Sequence, residues 1–128
     1  MEERVNLKNS KPPNFDGNIV LMFPQMVSFS QAVTLFGINK DIQIYDNMLE
    51  MTYVEVKNIC CWEVNDLLTE LFSQCNFEIL LLAQSQFNAK VVIDITFQHY
   101  DKYPALIFDG ANMEKIHMLK ADIAIDIY

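Results

Sequence analysis

The chain is short of three things. It has three glycines in 128 residues, nine lysines and arginines against seventeen aspartates and glutamates, and no apolar run near the roughly 20 residues a membrane span needs. Each shortage excludes something. The glycines (Gly17, Gly37, Gly110) stand alone, so there is no Gly-rich loop to cradle a phosphate. Bases are scarce and form no patch with interleaved aromatics, which argues against nucleic acid as a ligand. The polar, acidic start has no hydrophobic stretch of the kind a secretory signal requires, and neither a signal nor a span is expected. Three cysteines, two of them vicinal (Cys60-Cys61), build no disulfide framework and fit a reducing compartment, so the expected location is cytoplasmic.

What is present is core-forming material. Hydrophobic residues make up 52% of the chain, with nine Phe and five Tyr, enough for one domain with a single core. Residues 1–17 differ: the stretch from Asn9 to Asn14 is polar and broken by Pro12 and Pro13, and reads as a flexible N-terminal arm before a single domain at 18–128.

Within that domain residues 18–27 read as a strand, with Pro24 implying an edge position or a bulge. Ser28-x-x-Gln31 is a capping box for a short helix with Phe29, Ala32, Val33 and Phe36 as its apolar stripe and Gly37 at its end. A brief strand is expected at 42–45. A longer one is expected at 49–59, where the alternation Leu49, Met51, Tyr53 changes phase at Val54 and Val56, the mark of a bulge. Trp62 opens a helix whose Val64, Leu67, Leu68, Leu71, Phe72 and Cys75 share one face. Asn76 can cap a further helix with Phe77, Leu80, Leu81 and Phe87 inward.

Residues 90–98 form the clearest strand, Val91, Ile93, Ile95 and Phe97 inward, followed by a short strand at 105–108. A last helix would bury Met113, Ile116 and Leu119. The segment from Asp122 to Tyr128 then alternates strictly, with Ile123, Ile125 and Ile127 on one face and Asp122, Ala124, Asp126 and Tyr128 on the other. Strands and helices in this order predict an α+β fold: a ferredoxin-like sandwich, its sheet mixed or antiparallel and its helices packed on one face. The other sheet face would carry Asp94, Thr96, Asp122 and Asp126.

The start of a helix at Trp62, the leucine-rich helix after it, the strand from Val91 to Phe97, the helix from Met113 to Lys120 and the ending Asp122-Ile-Ala-Ile-Asp-Ile-Tyr128 together resemble an uncharacterised family of small bacterial domains of unknown function. The likeness covers residues 18–128 and is strongest over the last seven. It implies a fold and brings no catalytic residue with it.

Candidate chemistry is thin. Neither His99 nor His117 has a second ligand at metal-binding spacing, and no metal or cofactor is expected. Cys60, Cys61 and Cys75 sit in acidic surroundings, which raise a thiol pKa, and read as small buried hydrophobes. Asp94 and Asp126 would approach one another if their strands are neighbours, as an acid–base pair, a cation site or an ordinary solvated face. No serine nucleophile elbow occurs. The expectation is a protein that is not an enzyme.

The charge is one-sided. From Asp41 to Glu78 there are eight acids (Asp41, Asp46, Glu50, Glu55, Glu63, Asp66, Glu70, Glu78) and a single base, Lys57. Such a stretch is either a solvated face or a surface for a basic partner. The second reading leads to a cytoplasmic immunity protein, as in contact-dependent growth inhibition between bacteria, that neutralises a cognate toxin domain. A nuclease suits best, because its nucleic-acid cleft is cationic. Glu55, Glu63, Asp66 and Glu70 are the expected partner-binding residues, with Asp122 and Asp126 as a second patch and neither nucleic acid nor membrane as partner. The alternative is a structural or regulatory domain that self-associates as a homodimer through its outer sheet face.

Overall fold

A computed structural model describes residues 13–24, 27–37, 41–45, 48–97 and 106–127. Its elements are β1 (Asn14–Phe23), α1 (Phe29–Phe36), β2 (Ile42–Tyr45), β3 (Met48–Cys60), α2 (Val64–Ser73), α3 (Phe77–Phe87), β4 (Lys90–Phe97), α4 (Gly110–Leu119) and β5 (Asp122–Ile127). The five strands form one sheet in the order β2-β3-β1-β4-β5. All neighbours are antiparallel except β4 and β5, which are parallel. The part β2-β3-β1-β4, with α1 and the α2–α3 pair as crossovers, is the ferredoxin-like split β-α-β. The segment α4–β5 adds one more β-α-β unit to its edge.

Every buried side chain that the sheet gives to the main core comes from one face. Phe15, Ile19, Leu21 and Phe23 of β1 stand beside Phe97, Ile93 and Val91 of β4, and beside Leu49, Met51 and Val56 of β3. The same cluster takes Ala32 and Phe36 from α1, Val64, Leu67, Leu68, Leu71 and Phe72 from α2, Leu80 and Ala83 from α3 and Leu119 from α4. The helices therefore cover one side of the sheet. Phe36 links three elements, its ring centroid 5.1 Å from Phe23 and 5.8 Å from Phe87.

The expected arm at residues 1–17 overlaps the first strand. Residues 14–17 belong to β1, because Phe15 and the side-chain-free Gly17 continue its inward alternation. A Cβ on Gly17 would lie 3.0 Å from Leu71 Cδ1 and 3.1 Å from Leu67 Cδ1, so its absence lets α2 come down onto β1. Residues 1–12 lie outside the described residues. Pro24 sits just past β1, a central strand; lacking an N–H, it ends the strand instead of marking an edge.

β3 carries the expected bulge and a second one. Ile19 pairs with Val54 but Val20 pairs with Thr52, leaving Tyr53 as the extra residue. Tyr53 and Val54 both pack against the core, which restores the inward phase for Val56. The next shift lies between the pairs Gly17–Val56 and Phe15–Ile59. There Asn58 takes a left-handed conformation (φ 58°), and its N–H donates to Asp16 Oδ1 at 3.0 Å.

Capping follows the side-chain chemistry of the loops. Ser28 and Gln31 form the expected box at α1 and Asn76 caps α3. Helix α2 starts at Val64 rather than Trp62, with Glu63 at its cap position. Three expected placements change. Phe29 is 53% exposed, at the first residue of α1. Met113 is 52% exposed, and Asn112, one residue earlier, is buried in its place. Residues 106–108 are not a strand, and Ala105 lies outside the described residues.

Candidate functional site

The face of the sheet away from the helices carries the charge. Strand alternation and register set it out in four rows running across β3, β1, β4 and β5. The first is Glu50, Met22, Lys90; the second Thr52, Val20, Val92, Asp122. The third is Glu55, Asn18, Asp94, Ala124, and the fourth runs from the Asn58 bulge through Asp16 and Thr96 to Asp126. Among the described residues this open face holds seven carboxylates (Asp16, Asp41, Glu50, Glu55, Asp94, Asp122, Asp126), Asp41 lying beside Gln43 at the β2 edge, and two lysines. Both lysines are already engaged: Lys57 Nζ lies 3.1 Å from Glu55 Oε1, and Lys90 Nζ 2.9 Å from Asp122 Oδ2.

The crowding shows in Asp94. Partial burial first, and the nearby Asp126 carboxylate second, raise its carboxyl above the usual carboxylate range. The two aspartates are diagonal neighbours on adjacent strands, Asp94 level with Ala124 and Asp126 level with Thr96. Between Asp94 and Glu55 in the third row, the side-chain oxygen of Asn18 is buried without a hydrogen-bond partner. One row away lie Val20 and Val92, and beyond them Met22, an apolar strip with Val20 only 7% exposed. The face thus offers acceptors around a small apolar centre and few free donors.

The six expected binding residues divide between two sides of the molecule. Glu55, Asp122 and Asp126 are on the open sheet face. Glu63, Asp66 and Glu70 are on α2, in the helical layer on the other side. Glu55 therefore belongs with Asp122 and Asp126, since β3 ends and the chain turns into α2 between it and Glu63. On α2, Glu70 Oε1 accepts from Gln74 Nε2 at 2.9 Å, the Glu63 carbonyl accepts from the Cys61 thiol at 3.2 Å, and Asp66 is exposed.

Asp16 and Glu50 are not among the expected binding residues: Asp16 falls in the expected arm, and Glu50 is counted in the acidic stretch without being assigned to a face. The signal for Asp16 is there: Phe15, Ile19, Leu21 and Phe23 already alternate at period two, so Asp16 must face away from them.

The helical layer holds a second polar arrangement. Asn112, 3% exposed, donates through Nδ2 to Asn65 Oδ1 at 2.9 Å and to Thr69 Oγ1 at 3.0 Å. Its backbone N–H donates to Asp109 Oδ1 at 2.7 Å, while the Asp109 N–H donates to Asn65 Oδ1 at 2.9 Å. The Asn112 N–H first, and next Asn65 Nδ2, which donates to Asp109 Oδ2 at 3.2 Å, hold the Asp109 carboxyl below its usual range. The group clasps the start of α4 to α2.

The cysteines divide. Burial first and Asp66 second push the Cys61 thiol up to about 11, and burial pushes Cys75 up to about 12 against the pull of Lys115. Both are poor nucleophiles at neutral pH. Cys60 is exposed, contrary to its expected burial, because the strand places it on the open side; its Sγ donates to Asn14 Oδ1 at 2.6 Å. Among the described residues no group of three or more His, Cys, Asp or Glu side chains is arranged to hold a metal ion, and no helix is long and apolar enough to cross a membrane. His117 is exposed on α4; His99 and Tyr128 lie outside the described residues.

A scan against models of protein families finds no match, and searches of curated proteins and of solved structures find none either.

Proposed function

We propose that this chain is a non-catalytic acidic binding protein whose open sheet face captures a basic protein, and in its sharpest form an immunity protein that neutralises a nuclease toxin. The observation that carries this reading is the crowding of seven carboxylates and two engaged lysines on one sheet face that no described helix covers. A nuclease must gather lysines and arginines where it holds phosphates, and a flat acidic face opposes that potential directly. Complementary charge speeds encounter and excludes wrong partners, while apolar contacts such as Val20, Val92 and Met22 supply the desolvated centre. The bacterial setting rests on the resemblance of residues 18–128 to small bacterial domains. The same charge weighs against self-association through this face, because a second copy would set carboxylates against carboxylates.

The test uses a toxin domain encoded beside this chain, prepared with its catalytic residue replaced. Titration calorimetry compares the native chain with Glu55→Lys/Asp126→Lys on the sheet face and Asp66→Lys/Glu70→Lys on α2. The sheet-face variant should weaken binding by about tenfold or more, corresponding to roughly 1.4 kcal/mol or more, and the α2 variant should leave it within about twofold. Binding that survives reversal of the sheet face, or is lost only on reversal of α2, overturns the reading.

A further inference from the structure

The sheet ends on β5. It is six residues long, it pairs with β4 on one side, and among the described residues no strand pairs its other side, which presents backbone donors and acceptors. The opposite edge is a shorter template: β2 has four residues, none of them charged, with Asp41 just before it already accepting from Gln43. On β5 the side chains flanking the free edge have a fixed layout. Asp122 and Asp126 stand four residues apart on the open face with the small Ala124 between them, while Ile125, 37% exposed, lies on the helical side.

That layout discriminates among occupants. An antiparallel second copy on this edge would bring the aspartates of two β5 strands together on one face, a like-charge arrangement that destabilises cross-strand pairing. An uncharged strand would gain backbone bonds but leave both aspartates uncompensated, apart from the Lys90 contact of Asp122. A strand with basic residues four apart places both on the open face, since strand side chains alternate at period two. They then lie beside Asp122 and Asp126 in either strand direction.

We propose that the free edge of β5 is extended by a sixth strand from the basic partner, an extended segment with lysine or arginine at positions i and i+4. This deepens the proposed function by assigning the mode of contact, and it rests on that reading. Backbone bonds to β5 supply the pairing, Asp122 and Asp126 select the charge spacing, and the open face receives the rest of the partner.

The probe is a nine-residue peptide, acetylated and amidated, with lysines at positions 3 and 7 and alternating valine and threonine elsewhere. Amide hydrogen exchange of the full chain is followed with and without it. The peptide should slow exchange in residues 122–127, and Asp122→Lys/Asp126→Lys should weaken its binding by about tenfold, the scale of two cross-strand ion pairs. The same peptide methylated at alternate backbone nitrogens, and a peptide of the same composition with adjacent lysines, should each bind at least about fivefold more weakly. If methylation and lysine spacing make no difference, while Glu55→Lys/Asp16→Lys abolishes binding, strand addition is overturned and the acidic-face reading stands. If no reversal on the sheet face affects any basic peptide, both fall. Dimerisation of the chain through β5, seen as concentration-dependent protection of residues 122–127 without peptide, also overturns the assignment.

Discussion

Replacement of Asn112 by alanine tests how α4 is held. The Asn112 amide makes two well-placed bonds, to Asn65 Oδ1 at 2.9 Å and Thr69 Oγ1 at 3.0 Å, and a longer one to the Asn65 carbonyl at 3.3 Å. At about 0.5–1.5 kcal/mol net for each good bond, their loss costs about 1–3 kcal/mol. Asn65 Oδ1 keeps the Asp109 N–H, and the backbone N–H of residue 112 still caps onto Asp109, which holds the cost below that of a fully orphaned group. The expected loss is about 2 kcal/mol, or roughly 6–10 °C in Tm for a chain of this length.

Asn112→Asp sharpens the test, because it keeps the shape and replaces the donor. A carboxyl there is buried and close to Asp109, so its folded-state pKa lies above its unfolded value. Stability is then retained below the unfolded pKa and lost as pH rises through the folded one. Chemical denaturation followed by circular dichroism from about pH 4 to pH 8 should show the aspartate variant falling away from the alanine variant as pH rises. Alanine within about 0.5 kcal/mol of the native chain, or an aspartate variant with no added pH dependence, refutes the clasp as a structural determinant.

Two further outcomes follow from the sheet. Asp94 has a folded-state carboxyl pKa raised by burial and Asp126, so its contribution is present at acid pH and diminishes as pH rises through that value; Asp94→Asn should therefore be relatively more stable at neutral than at acid pH, and urea titrations at both pH values read this directly. Gly17→Val should destabilise by about 1–3 kcal/mol, because its side chain meets Leu67 and Leu71 where α2 rests on β1, and denaturation curves showing no loss would refute the close approach.

Much of this fold is legible residue by residue because local chemistry and packing agree. The α2 stripe of Val64, Leu67, Leu68, Leu71 and Phe72 is buried as spaced, and the change of phase after Met51 is a bulge at Tyr53. The diagonal placement of Asp126 near Asp94 also follows, since two alternating strands need only be adjacent. Other features depend on information that local sequence does not carry. A carboxylate run such as Glu55 to Glu70 looks continuous along the chain, yet the turn from β3 into α2 divides it between opposite sides of the molecule. Asn112 replaces Met113 inside because its amide finds partners on α2, more than forty residues earlier. Gly17 reads as a loop glycine until the helix that rests on it is known.

The central place of β1 has a kinetic consequence. The β2–β3 hairpin is the one pair of neighbouring strands joined by a short turn, whereas β1 must find β3 across α1 and β2, and β4 across most of the described chain. The middle of the sheet is thus assembled from contacts distant in sequence, each delayed by the entropy of closing a long loop. Folding should occur on the millisecond-to-second scale typical of such topologies, with β1 the strand whose docking limits the rate.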